Sequence, residues 1–211
     1  MVYLLDGLHN IPTAELEQAI ALVPQSRRDY AARYRFEKDR RQSIFAFLLL
    51  QYALRQEYSV EEPIELDRSG GKPVLRGLET IHFNLSHCDL AVACALSAAP
   101  VGVDVQHEKD FHWSVVKRVC CPEEFAFLQA AEAPEGAFAR LWTRKESYGK
   151  YTGQGIVYPM EQMCLLDRTP DGTVMETFTF DGYALSYCAE ESLEICKVSV
   201  ETLIKEPPHL V

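Results

Sequence analysis

Residues 81–106 read IHFNLSHCDLAVACALSAAPVGVDVQ, and their pattern decides the fold class. Three short segments, Ile81 to Leu85, Leu90 to Leu96 and Val101 to Val105, are rich in apolar or β-branched residues. The turn-prone runs His87-Cys88-Asp89 and Ser97-Ala98-Ala99-Pro100 separate them, which predicts three consecutive short strands. Upstream, Pro12-Thr13 opens an amphipathic helix through about Val23, and a longer helical stretch runs from about Asp39 to Glu57. Within it Phe45, Leu48, Leu49, Tyr52 and Leu54 recur at helical spacing. Downstream, Pro122 stands where a helix begins, with Glu123 and Glu124 in the first turn as the helix dipole prefers. A second helix covers about Ala137 to Tyr151 and ends at Gly153. Strands are then predicted over Gln162 to Leu166, Val174 to Phe180, Tyr183 to Ala189 and Ile195 to Thr202. The result is an α+β fold of two similar halves, 1–100 and 101–211, helices first and antiparallel strands after. A seam between such halves is a common place for a ligand cleft.

The bulk properties narrow the functional classes. The chain has 211 residues, 47% of them hydrophobic and 25% charged, which is ordinary globular composition. The start, Met1-Val2-Tyr3-Leu4-Leu5-Asp6, meets an acid at once and lacks a basic leader region, and no stretch approaches the length of a membrane helix, so a cytoplasmic protein is expected. The formal net charge of −10 argues against general nucleic-acid binding, and any anionic ligand must find a local basic patch. Seven cysteines fall without paired metal-ligand spacing, which reads as reduced, mostly buried thiols.

Four stretches could carry chemistry. In Val101-Gly102-Val103-Asp104-Val105-Gln106 the polar Asp104 and Gln106 share one strand face, and both offer oxygens of the type a hard cation such as Mg²⁺ prefers. An aspartate near a strand end is also a common turn or capping residue. In Trp142-Thr143-Arg144-Lys145-Glu146-Ser147-Tyr148-Gly149-Lys150, Glu146 and Lys150 lie four apart on one helical face, which as a plain exposed pair would be worth only about 0.3 to 0.5 kcal/mol. The following Gly153-Gln154-Gly155 lets the chain pass close to a ligand. In His82-Phe83-Asn84-Leu85-Ser86-His87 the adjacent Ser86 and His87 point to opposite sides of a strand and cannot form a nucleophile and base pair. In a turn, His87 could donate to a phosphate. Basic residues gather at Arg27, Arg28, Arg33, Arg35, Lys38, Arg40 and Arg41, with Lys72 after Gly70-Gly71. This is either a solvated helix face or a phosphate site.

Taken in order, Gly71-Lys72-Pro73, Phe83-Asn84-Leu85-Ser86-His87, Gly102-Val103-Asp104-Val105, Trp142 with Lys145-Glu146-Ser147 and Lys150, and Gly153-Gln154-Gly155 span nearly the whole chain. The set resembles the phosphopantetheinyl transferase superfamily in its longer, single-chain form, typified by the enzyme that primes surfactin synthetase. The resemblance implies a pseudo-twofold pair of α+β halves in a monomer, with coenzyme A in the cleft between them. It also implies Mg²⁺-dependent transfer of 4'-phosphopantetheine to a serine of an acyl or peptidyl carrier protein. By the same resemblance Asp104 and Glu146 bind Mg²⁺, and Glu146 or a water beside the metal takes the serine proton. Lys150 neutralises the leaving 3',5'-ADP, His87 holds a phosphate, and Lys72 and Ser86 help seat the nucleotide. The family pattern often has a second acid where this chain has Gln106, a poorer Mg²⁺ ligand. The lysines that some members use for the 3'-phosphate are missing near Ser26 and Asp29, leaving Arg27, Arg28 or Arg41 to substitute. Two other readings remain open: a coenzyme A-binding module that has lost turnover, and a metal-dependent nucleotide hydrolase.

Overall fold

The computed structural model describes residues 1–62, 64–67, 72–154 and 160–205. Gly70, Gly71 and Gly155 lie outside the described residues. The chain divides into two compact units, Met1–Ala98 with Glu194–Val211, and Ala99–Leu193. In chain order the elements are β1 (Val2–Asp6), α1 (Thr13–Ala21), α2 (Gln25–Ala31), α3 (Glu37–Tyr58), β2 (Leu66–Asp67), β3 (Val74–Leu75), β4 (His82–His87) and β5 (Ala91–Ser97). There follow β6 (Val101–His107), α4 (Trp113–Val119), α5 (Pro122–Ala130), α6 (Pro134–Thr152), β7 (Val174–Phe180), β8 (Tyr183–Ala189), β9 (Ile195–Lys197) and α7 (Val200–Lys205). This is a mixed α+β architecture.

In the first unit the sheet order is β4-β5-β1-β9. Helix α3 packs on this sheet. The helix is buried almost without interruption from Gln42 to Leu50, and its Ile44, Phe45, Leu48 and Leu49 meet Leu5, Val92, Cys94 and Leu96 in one core. Strand β5 is buried at every position, so its sequence shows an apolar run instead of an alternation. The second unit has the antiparallel order β6-β8-β7 with α6 laid across it. The stretches Met1–Ala98 and Ala99–Leu193 each open with a strand, run through helices, and end in a hairpin whose second strand pairs antiparallel with the opening strand: β5 with β1, and β8 with β6. Helices do not come first in either unit, because Val2–Asp6 is a central strand. Its five residues are nearly all apolar and give neither a strand nor a helix period.

Two predicted strands take other forms. Ile195 to Thr202 is a strand only over Ile195–Lys197, which pairs in parallel with Val2–Leu4, and then turns into α7, whose Leu203 joins the first unit's core. The chain beyond Glu194 thus packs with the first unit, where the sequence reading assigned it to a second half beginning at 101. Gln162 to Leu166 forms no strand. A short 3-10 turn covers Met160–Gln162, and buried side chains serve the backbone that follows. Leu165 N donates to Glu124 Oε1 at 2.8 Å, and Leu165 O accepts from Arg144 Nε at 2.8 Å. Side-chain partners satisfy what a ladder would otherwise have to.

Candidate active site

The site in the second unit begins with a glycine. A Cβ on Gly102 would overlap the carbonyl oxygen of Ser147 and come within 2.5 Å of Tyr151 N, so only glycine lets the α6 backbone lie directly on β6. Near the other end of α6, Gly136 lets the Glu108 carboxylate approach to 2.9 Å from where its own Cβ would be. Between these two contacts α6 runs antiparallel along β6. Buried hydroxyls fasten it to the sheet: Thr143 Oγ1 to Ser186 Oγ at 2.7 Å, and Ser186 Oγ to Thr177 Oγ1 at 2.9 Å.

This packing brings Asp104, Glu146 and Lys150 together. Lys150 Nζ donates to Asp104 Oδ1 at 2.7 Å and to the carbonyl of Val103 at 3.0 Å. Asp104 is buried, and Glu146 is 8% exposed. Glu146 Oε1 is buried and has no hydrogen-bond partner among the described residues. Burial, and next the negative charge of Asp104, push the Glu146 carboxyl up to about 7 against the opposing pull of Lys150. Two carboxylates share one ammonium here, and one of them holds a bare oxygen. That donor set, all hard oxygens with a surplus of negative charge, fits a hard divalent cation.

The adjacent Lys145 belongs to a different cluster. It is fully buried, and its Nζ donates to Glu124 Oε2 at 2.9 Å and to the carbonyls of Met160 and Met163 at 2.6 and 2.5 Å. Glu124 also accepts from Cys121 N at 2.9 Å and from Leu165 N, closing a capping box at the start of α5. Ligand atoms of Cys121, Glu124 and Cys164 lie within 4.8 Å of one another. Glu124 is nevertheless committed to Lys145 and two backbone amides, and removing it would strand a buried ammonium. The cluster supports α6 from below. Trp142, next to it in the motif, stacks at a tilt on Phe138 with centroids 5.8 Å apart and serves the aromatic core.

The remaining predicted residues fall at separate places. Gln106 turns its amide nitrogen to Asp110, donating from Nε2 to Oδ2 at 2.7 Å. In the first unit Ser86 is buried and His87 exposed at the end of β4, so His87 is the last residue of a strand and not part of a turn. Lys72 is half-buried in a bend before β3. Arg41 lines a cavity of about 240 Å³ with His9, Lys38, Gln42 and Asp89, and its Nη2 pairs with Glu37 at 2.8 Å. Arg27 lines another cavity, of about 340 Å³, with Ser26, Tyr30 and Phe47. Its guanidinium lies over Tyr30 and Phe47 at 4.9 and 5.3 Å while Nη2 donates to Ser43 O. The sequence reading passed over Gln42, buried and bonded to Asp89 at 3.0 Å, and Asp110. Nothing in their local sequence marks either, since both matter through partners brought by the fold.

Comparison with known proteins gives the family. Residues 100–201 match the model of the 4'-phosphopantetheinyl transferase superfamily, and residues 11–99 match that of the N-terminal part of 4'-phosphopantetheinyl transferase. The 4'-phosphopantetheinyl transferase psf-1 of Bacillus pumilus is 31% identical across 84% of this chain and 83% of its own length. Gsp of Aneurinibacillus migulanus is 30% identical across 86% and 84%, and Sfp of Bacillus subtilis (strain 168) is 25% identical across 90% and 93%. This chain belongs to the 4'-phosphopantetheinyl transferase superfamily. Among its described residues no helix is long and apolar enough to cross a membrane.

Proposed function

We propose that this protein transfers 4'-phosphopantetheine from coenzyme A to a serine of an acyl or peptidyl carrier protein, with Mg²⁺ bound by Asp104 and Glu146. The observation that carries the reading is the buried pair Asp104 and Glu146 beside Lys150, with Glu146 Oε1 unpartnered among the described residues and its carboxyl pushed up to about 7. Without a cation the carboxyl sits near neutral pH, and a bound Mg²⁺ would hold it ionised and able to accept a proton. When bound, Mg²⁺ would neutralise the pyrophosphate of coenzyme A. Glu146 takes the proton from the carrier serine. The serine oxygen forms a bond to the β-phosphorus, and the bond to 3',5'-ADP breaks. Lys150 donates to the departing phosphate oxygens. Such transfers depend on positioning and charge neutralisation more than on covalent chemistry by the protein.

His87, Ser86 and Lys72 would bind the nucleotide end of coenzyme A. For its 3'-phosphate the cavity of Arg41 is the better supported choice, because Lys38 and His9 add basic groups to its wall, whereas among the described residues the lining of the Arg27 cavity has no second basic group. The repeated strand, helix and hairpin order supports reading the chain as two pseudo-twofold halves. The test is the intact mass of fatty-acid, polyketide and peptide apo carriers after incubation with the protein, coenzyme A and Mg²⁺. Gain of one phosphopantetheine that needs the metal supports transfer. Bound coenzyme A without product would support the inactive binding module, and phosphopantetheine released without carrier the hydrolase.

A further inference from the structure

Gln106 stands where an acid is often found in this family, yet its side chain has a fixed orientation. An ionised carboxylate only accepts hydrogen bonds, so the 2.7 Å contact with Asp110 Oδ2 commits the nitrogen end of the amide and leaves Oε1 at the opposite end. Gln106 lies two residues after Asp104, on the strand face that Gly102 opens to α6. We propose that Asp110 is a positioning residue that locks the Gln106 amide so that its carbonyl oxygen serves the same cation as Asp104 and Glu146. The proposal rests on the metal site of the preceding subsection.

The turn that carries Asp110 is built to hold still. Glu108 N donates to Gly182 O at 3.0 Å, and Lys109 N donates to His107 Nδ1 at 2.9 Å. Glu108 is seated against Gly136, and Phe111 packs edge-on against Trp113 and Phe138 with centroids 5.0 and 5.7 Å apart. The Asp110 charge also polarises the amide, drawing on the N–H and enriching Oε1, as a carboxylate behind a ligating histidine raises that ligand's basicity. A carboxylate four residues away thus strengthens the neutral ligand through a hydrogen bond.

The experiment measures Mn²⁺ bound in the presence of coenzyme A by electron paramagnetic resonance. The variants are Asp110→Ala, Asp110→Asn, Gln106→Ala, the Gln106→Ala/Asp110→Ala double and Asp104→Ala. Asp110→Ala should weaken Mn²⁺ about three- to tenfold, the range of one hydrogen bond, while the melting temperature holds because the side chain is exposed. Asp110→Asn, which keeps an acceptor, should retain most of the affinity, and Asp110→Ala should add nothing to Gln106→Ala. Equal losses in Asp110→Ala and Asp110→Asn, persisting without Gln106, would overturn the inference in favour of bulk charge. No loss in Asp110→Ala while Asp104→Ala abolishes binding would overturn it outright. Unchanged Mn²⁺ affinity in Asp104→Ala would remove the metal site itself, and the inference with it.

Discussion

Lys145 and Lys150 stand five residues apart on α6, and each meets a buried acid, but the two clusters are built to opposite ends. Around Lys145 every polar atom is answered: three oxygens for the ammonium, and two backbone amides besides for Glu124. Around Lys150 the balance is incomplete. Its side chain is 24% exposed, it bonds Asp104, and Glu146 beside it keeps a buried oxygen without a hydrogen bond among the described residues. A satisfied buried ion pair holds a fold in one arrangement, whereas an unbalanced one stores affinity for a charge still to come.

The contrast between the two lysines breaks most forcefully at Lys145. Lys145→Ala leaves Glu124 buried without its counter-charge and should cost about 3 to 5 kcal/mol of stability in denaturant unfolding, with activity lost only as the fold is lost. Lys150→Ala should shift the weight to activity. Carrier modification falls about 10² to 10³-fold, the scale of removing one donor to developing charge, while stability falls less than in Lys145→Ala, because Lys150 is 24% exposed and water can reach the Asp104 it leaves. Arg41→Ala should raise the KM for coenzyme A about tenfold with kcat nearly unchanged, and Arg27→Ala should do so far less, in steady-state assays of the two variants.

A further effect is one of pH. A carboxyl at about 7 in the folded protein and 4.5 when free binds more protons folded than unfolded between those values. Its contribution to stability is therefore complete below 4.5 and is lost as pH rises through 7. Wild-type unfolding free energy should decline across that window, and addition of Mg²⁺ should flatten the decline.

Much of the site was legible because it is local. The alternation of Val101 to Gln106 and the four-residue spacing of Glu146 and Lys150 fix which side chains share a face, and the fold had only to bring a strand and a helix together. Lys145 was not separable from Lys150 in this way. Its counter-charge Glu124 lies 21 positions earlier on another helix, and sequence spacing says nothing of that pairing. The same cluster explains the strand expected over Gln162 to Leu166. Those residues read as a strand because they are mostly apolar, yet their backbone is bound by the side chains of Arg144, Lys145 and Glu124. Strand β1 escaped notice because a buried five-residue run has no period, and the stretch after Glu194 because its alternation continues past the strand into a helix.

The proposed chemistry turns on Glu146, and the most direct measurement pairs two readouts on Glu146→Gln. A shift from 4.5 to about 7 corresponds to at most about 3 kcal/mol of destabilisation by the ionised form. The variant should therefore be more stable than wild type at about pH 8, by about 2 kcal/mol in denaturant unfolding, while carrier modification falls at least about 10²-fold. A variant that still modifies the carrier at the wild-type rate, or one that loses stability at that pH, would contradict the assignment of this carboxylate as a strained, functional group.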